Sequence, residues 1–319
     1  MVAGLLASTL LAGCGSPAPP PPPGTTDLRV ALSPSVSVVP AHIAASSGIF
    51  ERHGLRVTIT ESNDLNGFAA ALDQGQYDIV LSVPSIVLVA ADQGLDVQIV
   101  NRMNRASGDH PGTVWITRDP AVASIGQLRG ARIGVPALTG QLTDALVYLL
   151  QRAGVAKDEV TFVQTPFATM LDQLRAGRLD AAVAGAPFST AMAAQGYRLH
   201  EDVVVAAVRE ATGGARDDGM TSLFASSSAF TSSHAQAVRA WRESLHEAVD
   251  RLRTNHAAMS AELRSWLKMP PEVADTAPLP VWELDVTPAD LQPYVTIARS
   301  VHSVDRDLDV NALVWRDHP

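Results

Sequence analysis

The sequence predicts an α/β protein of two similar lobes with a ligand cleft between them, and three observations carry this reading. Short apolar strands alternate with helical stretches through the first two thirds of the chain. That alternation is the mark of a mostly parallel sheet with helices on both faces. The same order of elements then recurs about 100 residues later. Finally, 319 residues, 46% of them hydrophobic and 18% charged, are enough for about two domains and for a full apolar core.

The elements follow in order. Val2 to Leu11 is an uncharged apolar run of about ten residues, too short to cross a bilayer as a helix, which takes about 20. Its length suits the apolar segment of a signal peptide, although no Lys or Arg precedes it. Leu11-Ala12-Gly13-Cys14 comes next and resembles a bacterial lipobox, in which small residues admit the peptidase and the thiol accepts a diacylglycerol. Cys14 is the single cysteine, so the chain has neither a disulfide framework nor a Cys-based zinc or iron-sulfur site. Pro17 and Pro19 to Pro23 favour extended polyproline II. Residues 1–13 therefore read as a signal peptide, and 14–26 as a lipidated Cys with a proline-rich tether.

The body starts at Asp27. Leu28 to Ser33 reads as a strand, Pro40 to Ser47 as a helix stopped at Gly48, and Leu55 to Glu61 as an alternating strand. Phe68, Ala69 and Leu72 share one helix face that ends at Gly75. Tyr77 to Ser82 is a buried-type strand, Ser85 to Gln93 a helix closed by Gly94, and Val97 to Met103 a further strand. In the repeat, Leu28-Arg29-Val30 corresponds to Ala131-Arg132-Ile133. Leu72-Asp73-Gln74-Gly75-Gln76-Tyr77-Asp78 corresponds to Leu174-Arg175-Ala176-Gly177-Arg178-Leu179-Asp180. Each copy has a helix end, a Gly for the left-handed exit, and an Asp leading into a strand. The expected lobes are 27–111 with 213–319, and 112–212, joined near Arg102 to Arg105 and Gly213 to Met220. In the last third, Ala235, Val238, Trp241, Leu245, Val249 and Leu252 form an amphipathic core stripe. Thr287, Pro288 and Asp290 open a helix that carries Leu291, Val295 and Ala298. Both helices are expected to pack onto the first lobe.

The segments Val30 to Pro40, HIAASSGIFERHGLRVTI, ALDQGQYDIVLSVPS, IGQLRGARIGVP, TGQLTDALVYLLQRAG and LRAGRLDAAVAGAP resemble the nitrate/sulfonate/taurine and thiamine-pyrimidine-precursor group of solute-binding proteins that serve ABC importers. The resemblance covers roughly Leu28 to Tyr197. It implies a type II periplasmic-binding-protein fold with two hinge strands that closes around one small polar organic molecule, sulfonate-like or pyrimidine-precursor-like, and a membrane permease as partner. Enzymes on this fold, pyrimidine synthases and a chorismate-processing dehydratase, are the alternative. The synthases carry a cysteine-rich motif absent here, and both types work in the cytoplasm, against the lipobox.

Ligands bind open α/β sheets beyond the carboxyl ends of the strands. The first lobe thus offers Ser35, Val38 and Pro40, Asn63 and Asp64, and Ser82, Pro84 and Ser85. The second offers Thr139, Gly140, Gln141 and Pro187, and Asp218 lies near the joint. Thr139-Gly140-Gln141 stands where relatives often place a Gly-Ser pair, with its hydroxyl before the Gly. His42 either lines the cleft or caps a surface. These loops hold no Lys or Arg, so a bound anion would rely on hydroxyls, backbone amides and helix dipoles, while Asp64, Asp217 and Asp218 would suit an amine or hydroxyl.

The nine His residues show no metal-ligand spacing, Gly213-Gly214 lacks a phosphate-loop context, and GAPFST lacks a nucleophile elbow. The expectation is reversible binding without turnover, cofactor or metal. A net charge of −9, from 24 basic and 33 acidic residues, disfavours nucleic-acid partners. The chain is expected to be a monomer held by lipid on the outer face of the cytoplasmic membrane. Cys14→Ala should therefore release the protein from the membrane fraction and abolish palmitate labelling; labelled, membrane-bound Cys14→Ala protein would refute the anchor.

Overall fold

The computed structural model describes residues 24–317, so the expected signal peptide, Cys14 and most of the expected tether lie outside the described residues. A first unit runs through β1 (Thr26–Leu32), α1 (Val39–Ser46), α2 (Ile49–Arg52), β2 (Leu55–Glu61), α3 (Leu65–Asp73), β3 (Ile79–Ser82), α4 (Pro84–Asp92) and β4 (Gln98–Ser107). The chain then crosses to β5 (Thr113–Thr117), β6 (Arg132–Val135), α5 (Gln141–Arg152), β7 (Thr161–Gln164), α6 (Phe167–Arg175), β8 (Ala181–Gly185), α7 (Phe188–Ala193), β9 (Arg198–Asp202) and α8 (Val203–Ala211). It returns through β10 (Asp218–Ser226). The rest is α9 (Ser228–Ser233), α10 (Ala235–Arg253), α11 (His256–Ser265), α12 (Pro271–Ala274), the short β11 (Val281–Trp282) and α13 (Pro288–Ser300).

Two sheets result, ordered β11-β4-β10-β3-β1-β2 and β7-β6-β8-β5-β9. In the first, β1 pairs in parallel with β2 and β3, and β10 is antiparallel to β3. In the second, β6 pairs in parallel with β7 and β8, and β5 is antiparallel to β8. The strand order and directions of the repeat are the same in both.

The repeated residues make the same contacts. Arg29 grips Asp78 through its backbone N–H at 2.7 Å, Nε at 3.1 Å and Nη2 at 2.6 Å, and its Nη1 donates to the Gly75 carbonyl at 2.8 Å. Arg132 grips Asp180 through N and Nε, both at 3.0 Å, and Nη2 at 3.1 Å, and donates to the Gly177 carbonyl at 2.7 Å. The arginine of the first strand thereby fixes where the third strand begins. The Arg132 guanidinium also holds the Asp180 carboxyl below the usual carboxylate range.

The helical stripe of α10 is core as expected. Trp241 stacks on Phe50, meets Phe224 edge-on with centroids 5.0 Å apart, and donates from Nε1 to Asn101 Oδ1 at 3.0 Å. Two expectations change. Arg102 to Arg105 are no joint: they lie inside β4, where Arg102 pairs with Leu223, Asn104 with Ser222 and Arg105 with Met220. A segment held in a ladder on both edges cannot absorb dihedral change. The chain instead leaves the first sheet after Ser107, and returns through a segment holding Gly213 and Gly214, both at positive φ. The second change concerns α13. It packs against α4 of the first unit and also against α5 and α8 of the second. Leu291, Tyr294, Val295, Ile297 and Ala298 are all buried, so the helix is apolar on more than one face and joins the first unit's core to part of the second unit's, while Ile116, Met170 and Leu174 belong to a separate cluster in the second unit.

In the second sheet Trp115 stacks on His200, with centroids 3.5 Å apart and 5° between planes, and Thr117 Oγ1 lies 3.1 Å from His200 Nε2. Burial, with a contribution from Arg198, lowers the His200 pKa from 6.5 to about 4. Between these values the native state binds fewer protons than the unfolded chain, so stability rises with pH across the window and is lost as pH falls from 6.5 toward 4. Urea unfolding at neutral pH and near pH 5 should show a smaller acid loss for His200→Gln than for the wild type. Equal losses would place the acid sensitivity elsewhere.

Candidate functional site

The strand registers place the site. Leu223 lies opposite Ser82, so Ser222 and Met220 of β10 extend past the carboxyl end of β3. Thr113 lies opposite Gly185, so Gly112 stands past the carboxyl end of β8. Both crossings therefore leave from the carboxyl ends of the parallel strands, and the loops at those ends in the two units are turned toward each other. Asp202, 3% exposed, fastens one crossing: its carboxylate accepts from the N–H groups of Gly112 and Thr113 at 2.7 Å, Val204 at 2.8 Å and Val205 at 2.9 Å. Burial pushes this carboxyl up, against the pull of the four donors.

In the first unit Ser33 donates to Asn63 Oδ1 at 3.0 Å, tying two of the expected loops together. Asp64 is the N-cap of α3 and accepts from the Gly67 N–H at 3.0 Å. Ser35 is half-buried ahead of a 3₁₀ turn. Val38 and Pro40 are buried, where apolar side chains beside a helix start gain from leaving water. Ser82 is buried with its hydroxyl 3.5 Å from the Val83 carbonyl, and Pro84 opens α4. In the second unit Thr139 is exposed, beside Leu138 at 48% exposure. Gly140 takes φ +101°, and an added Cβ would meet nothing within 4 Å, so a side chain there would be strained by backbone conformation alone. Pro187 is exposed just before α7. Asp218 pairs with Arg216 at 3.2 Å, which in turn reaches Asp290 at 2.8 Å, so it serves an ion network. His42 stacks on Trp266 at 4.1 Å and lies 2.8 Å from Glu262, and Trp266 donates from Nε1 to Glu61, the last residue of β2, at 2.7 Å.

Ser85 and Gln141, from the two units, come together. They line one pocket with Asp144, Ala145, Val204, Tyr294, Ile297 and Ala298. Its polar groups centre on the backbone of Met220. Gln141 Nε2 donates to the Met220 carbonyl at 2.8 Å, the Tyr294 hydroxyl donates to the same carbonyl at 3.1 Å, and the Met220 N–H donates back to that hydroxyl. Ser85 Oγ and Gln141 Oε1 are buried without a partner, as are Oδ1 of Asn104 and Oγ of Ser222, two residues opposite each other in the β4–β10 register beyond the end of β3. Buried polar atoms are rarely left unpaired, so each marks a place for a further partner. Sequence reasoning missed Asp144 and Tyr294. Asp144 is three residues after Gln141, hence on the same helix face, and that spacing was the available signal. Tyr294 gave no signal.

The comparisons agree with this architecture. The alkanesulfonate-binding protein SsuA from Xanthomonas axonopodis pv. citri, bound to MOPS, superposes with a TM-score of 0.71 at 19% identity, over 91% of this chain and 98% of that one. The periplasmic aliphatic sulphonate binding protein SsuA from Escherichia coli gives 0.74 at 14%, over 92% of each chain. The periplasmic nitrate-binding protein NrtA from Synechocystis PCC 6803 gives 0.66 at 15%, over 90% of this chain and 84% of that one. The protein thus has the two-lobed type II periplasmic-binding-protein fold. The sequence model of the NMT1/THI5 like family matches residues 36–257, and the chain belongs to that family. It is also 25% identical over 181 residues to the riboflavin-binding protein RibY of Chloroflexus aurantiacus; the match spans 51% of this chain and about half the length of that relative.

Tyr294→Phe would leave the Met220 N–H buried without an acceptor and should cost about 1–3 kcal/mol in urea unfolding. An unchanged midpoint would show that α13 does not hold β10 through this bond.

Proposed function

We propose that the protein is an extracytoplasmic solute-binding protein that captures one small polar organic molecule between its lobes and delivers it to the permease of an ABC importer. The observation that supports this most is the shared pocket. Ser85 lies in the first turn of one lobe's helix, Gln141 begins the other's, and each carries a buried polar atom without a partner beside the same pocket. A solute spanning them would satisfy both atoms and hold the lobes together, and excluding water would strengthen each bond. Gly112 and the glycine-bearing segment before β10 are the proposed joints, with lobes of 27–111 plus 213–319 and 112–212. Membership of the NMT1/THI5 like family and the likeness to sulfonate-, nitrate- and riboflavin-binding proteins support the reading. The lipobox-like segment at Cys14 supports attachment to the outer face of the membrane, and the protein acts as a monomer without catalysis.

A thermal-shift screen of the purified protein against small polar solutes tests this. A solute at about 100 times its dissociation constant should add about 2.7 kcal/mol of stability and be recovered chemically unaltered. By calorimetry Ser82→Ala, Ser85→Ala, Thr139→Ala and Gln141→Ala should each weaken that solute's binding several-fold, the loss of a hydrogen bond worth about 0.5–1.5 kcal/mol. Gly140→Val should abolish it. Recovery of an altered solute, or unchanged affinity in every folded variant, would refute the proposal.

A further inference from the structure

The pocket at the lobe seam has a polarity that the fold alone does not account for. Gln141 Nε2 faces the Met220 carbonyl, which only accepts, so the amide has one workable orientation and its Oε1 is left as a free acceptor. Ser85, 6% exposed, contributes an unpaired hydroxyl. Asp144, 8% exposed, takes one hydrogen bond, from Ser303 to Oδ1 at 2.9 Å, and no Lys or Arg lines the pocket. The Tyr294 hydroxyl is occupied by the backbone of Met220. The remaining wall, Ala145, Val204, Ile297 and Ala298, is apolar.

This arrangement selects a ligand by charge and by hydrogen-bond direction. An anionic head would meet the Asp144 carboxyl and the outward oxygen of an amide with no Lys or Arg among the lining residues, the charge of Lys157 reaching Asp144 only from outside the pocket. A water could bridge Ser85 and Gln141 but would bring no positive charge into the pocket beside Asp144. A primary ammonium group carries three N–H donors and one positive charge, and is about the size of the single water for which the pocket has room. We propose that this pocket is a seat for the protonated primary amino group of the solute, donating to Asp144, Gln141 Oε1 and Ser85 Oγ, so that the protein prefers amine-bearing solutes to bare anions. The proposal rests on the solute-binding reading above. Because Ser85 belongs to one lobe and Gln141 and Asp144 to the other, the seated amine also bridges the lobes. Burial already pushes the Asp144 carboxyl up, and a neighbouring ammonium would return it to the charged form.

The test is thermal unfolding of the full chain at constant ionic strength with methylammonium, tetramethylammonium, potassium, methanesulfonate or nitrate. Methylammonium should raise Tm saturably. Tetramethylammonium, which has no N–H, potassium and the two anions should not. Asp144→Asn should shift the methylammonium midpoint by about tenfold or more, the loss expected for a hydrogen bond to a charged group. Gln141→Ala and Ser85→Ala should shift it several-fold with the carboxylate intact, and they carry the test should Asp144→Asn fail to fold. Equal shifts with tetramethylammonium or potassium, stabilisation by either anion instead, or an undisturbed midpoint in all three variants would overturn the amine seat. In that event, an uncharged or anionic solute whose affinity still fell in Ser85→Ala would leave the solute-binding reading standing. The absence of any such solute would remove both.

Discussion

The antiparallel pairing of β4 with β10 is the contact on which the rest of the molecule depends. β10 closes the first sheet by lying between β3 and β4, and its first residues run past the carboxyl end of β3. The chain can therefore pass to the second sheet and return only at that end, where the parallel strands of both units release their loops and helix starts. Met220 stands in this overhang. Its carbonyl takes hydrogen bonds from Gln141 of one unit and Tyr294 of α13, so the ladder also sets the pocket. Arg102 lies beneath it, 6% exposed at the side chain, and pairs with Glu283 while Arg216 pairs with Asp290. The strands β4 and β10 are thus tied to their neighbours along their length up to the crossings.

The duplication works through a local device. In each unit an arginine on the first strand binds the aspartate that precedes the third, and caps the carbonyl of the glycine that ends the intervening helix. These guanidinium groups are half exposed, so each pair adds little to global stability. Its effect is geometric. Because β3 and β8 are buried on both faces, a start shifted by one residue would exchange the side chains presented to the two packing layers, and the clamp fixes that starting point in both sheets.

At the seam, stability and recognition oppose each other. Ser85, Asn104, Gln141 and Ser222 keep buried polar atoms unpaired, and each such atom costs about 1–3 kcal/mol until it is satisfied. The continuous apolar cluster through α13 offsets this and holds the units side by side without a ligand. Under the proposed function, a solute would gain from atoms already desolvated and oriented, the condition under which one added hydrogen bond counts most.

Much of this was legible in the sequence because it depends on local pattern. Strand and helix alternation, the glycine exits at Gly75 and Gly177, the arginine–aspartate repeat, the Thr287 cap and the α10 stripe each follow from residues within one or two turns of each other. The expected loops at Ser82 to Ser85 and Thr139 to Gln141 lie where the strands end, for the same reason. What the sequence could not decide depends on which elements meet. Val38 and Pro40 were taken up by the core and His42 by Trp266, partners distant in the chain, whereas Asp64 and Asp218 went to a cap on Gly67 and an ion pair with Arg216 two or three residues away. Asp144 and Tyr294 gained their roles only when α13 lay across both units, and no periodicity announces that a helix with several apolar faces will bridge two sheets. The sequence by itself determined the elements, their order and the duplication, since these are set by near neighbours; tertiary structure alone decided which polar atoms were left without partners, since that is settled by long-range packing.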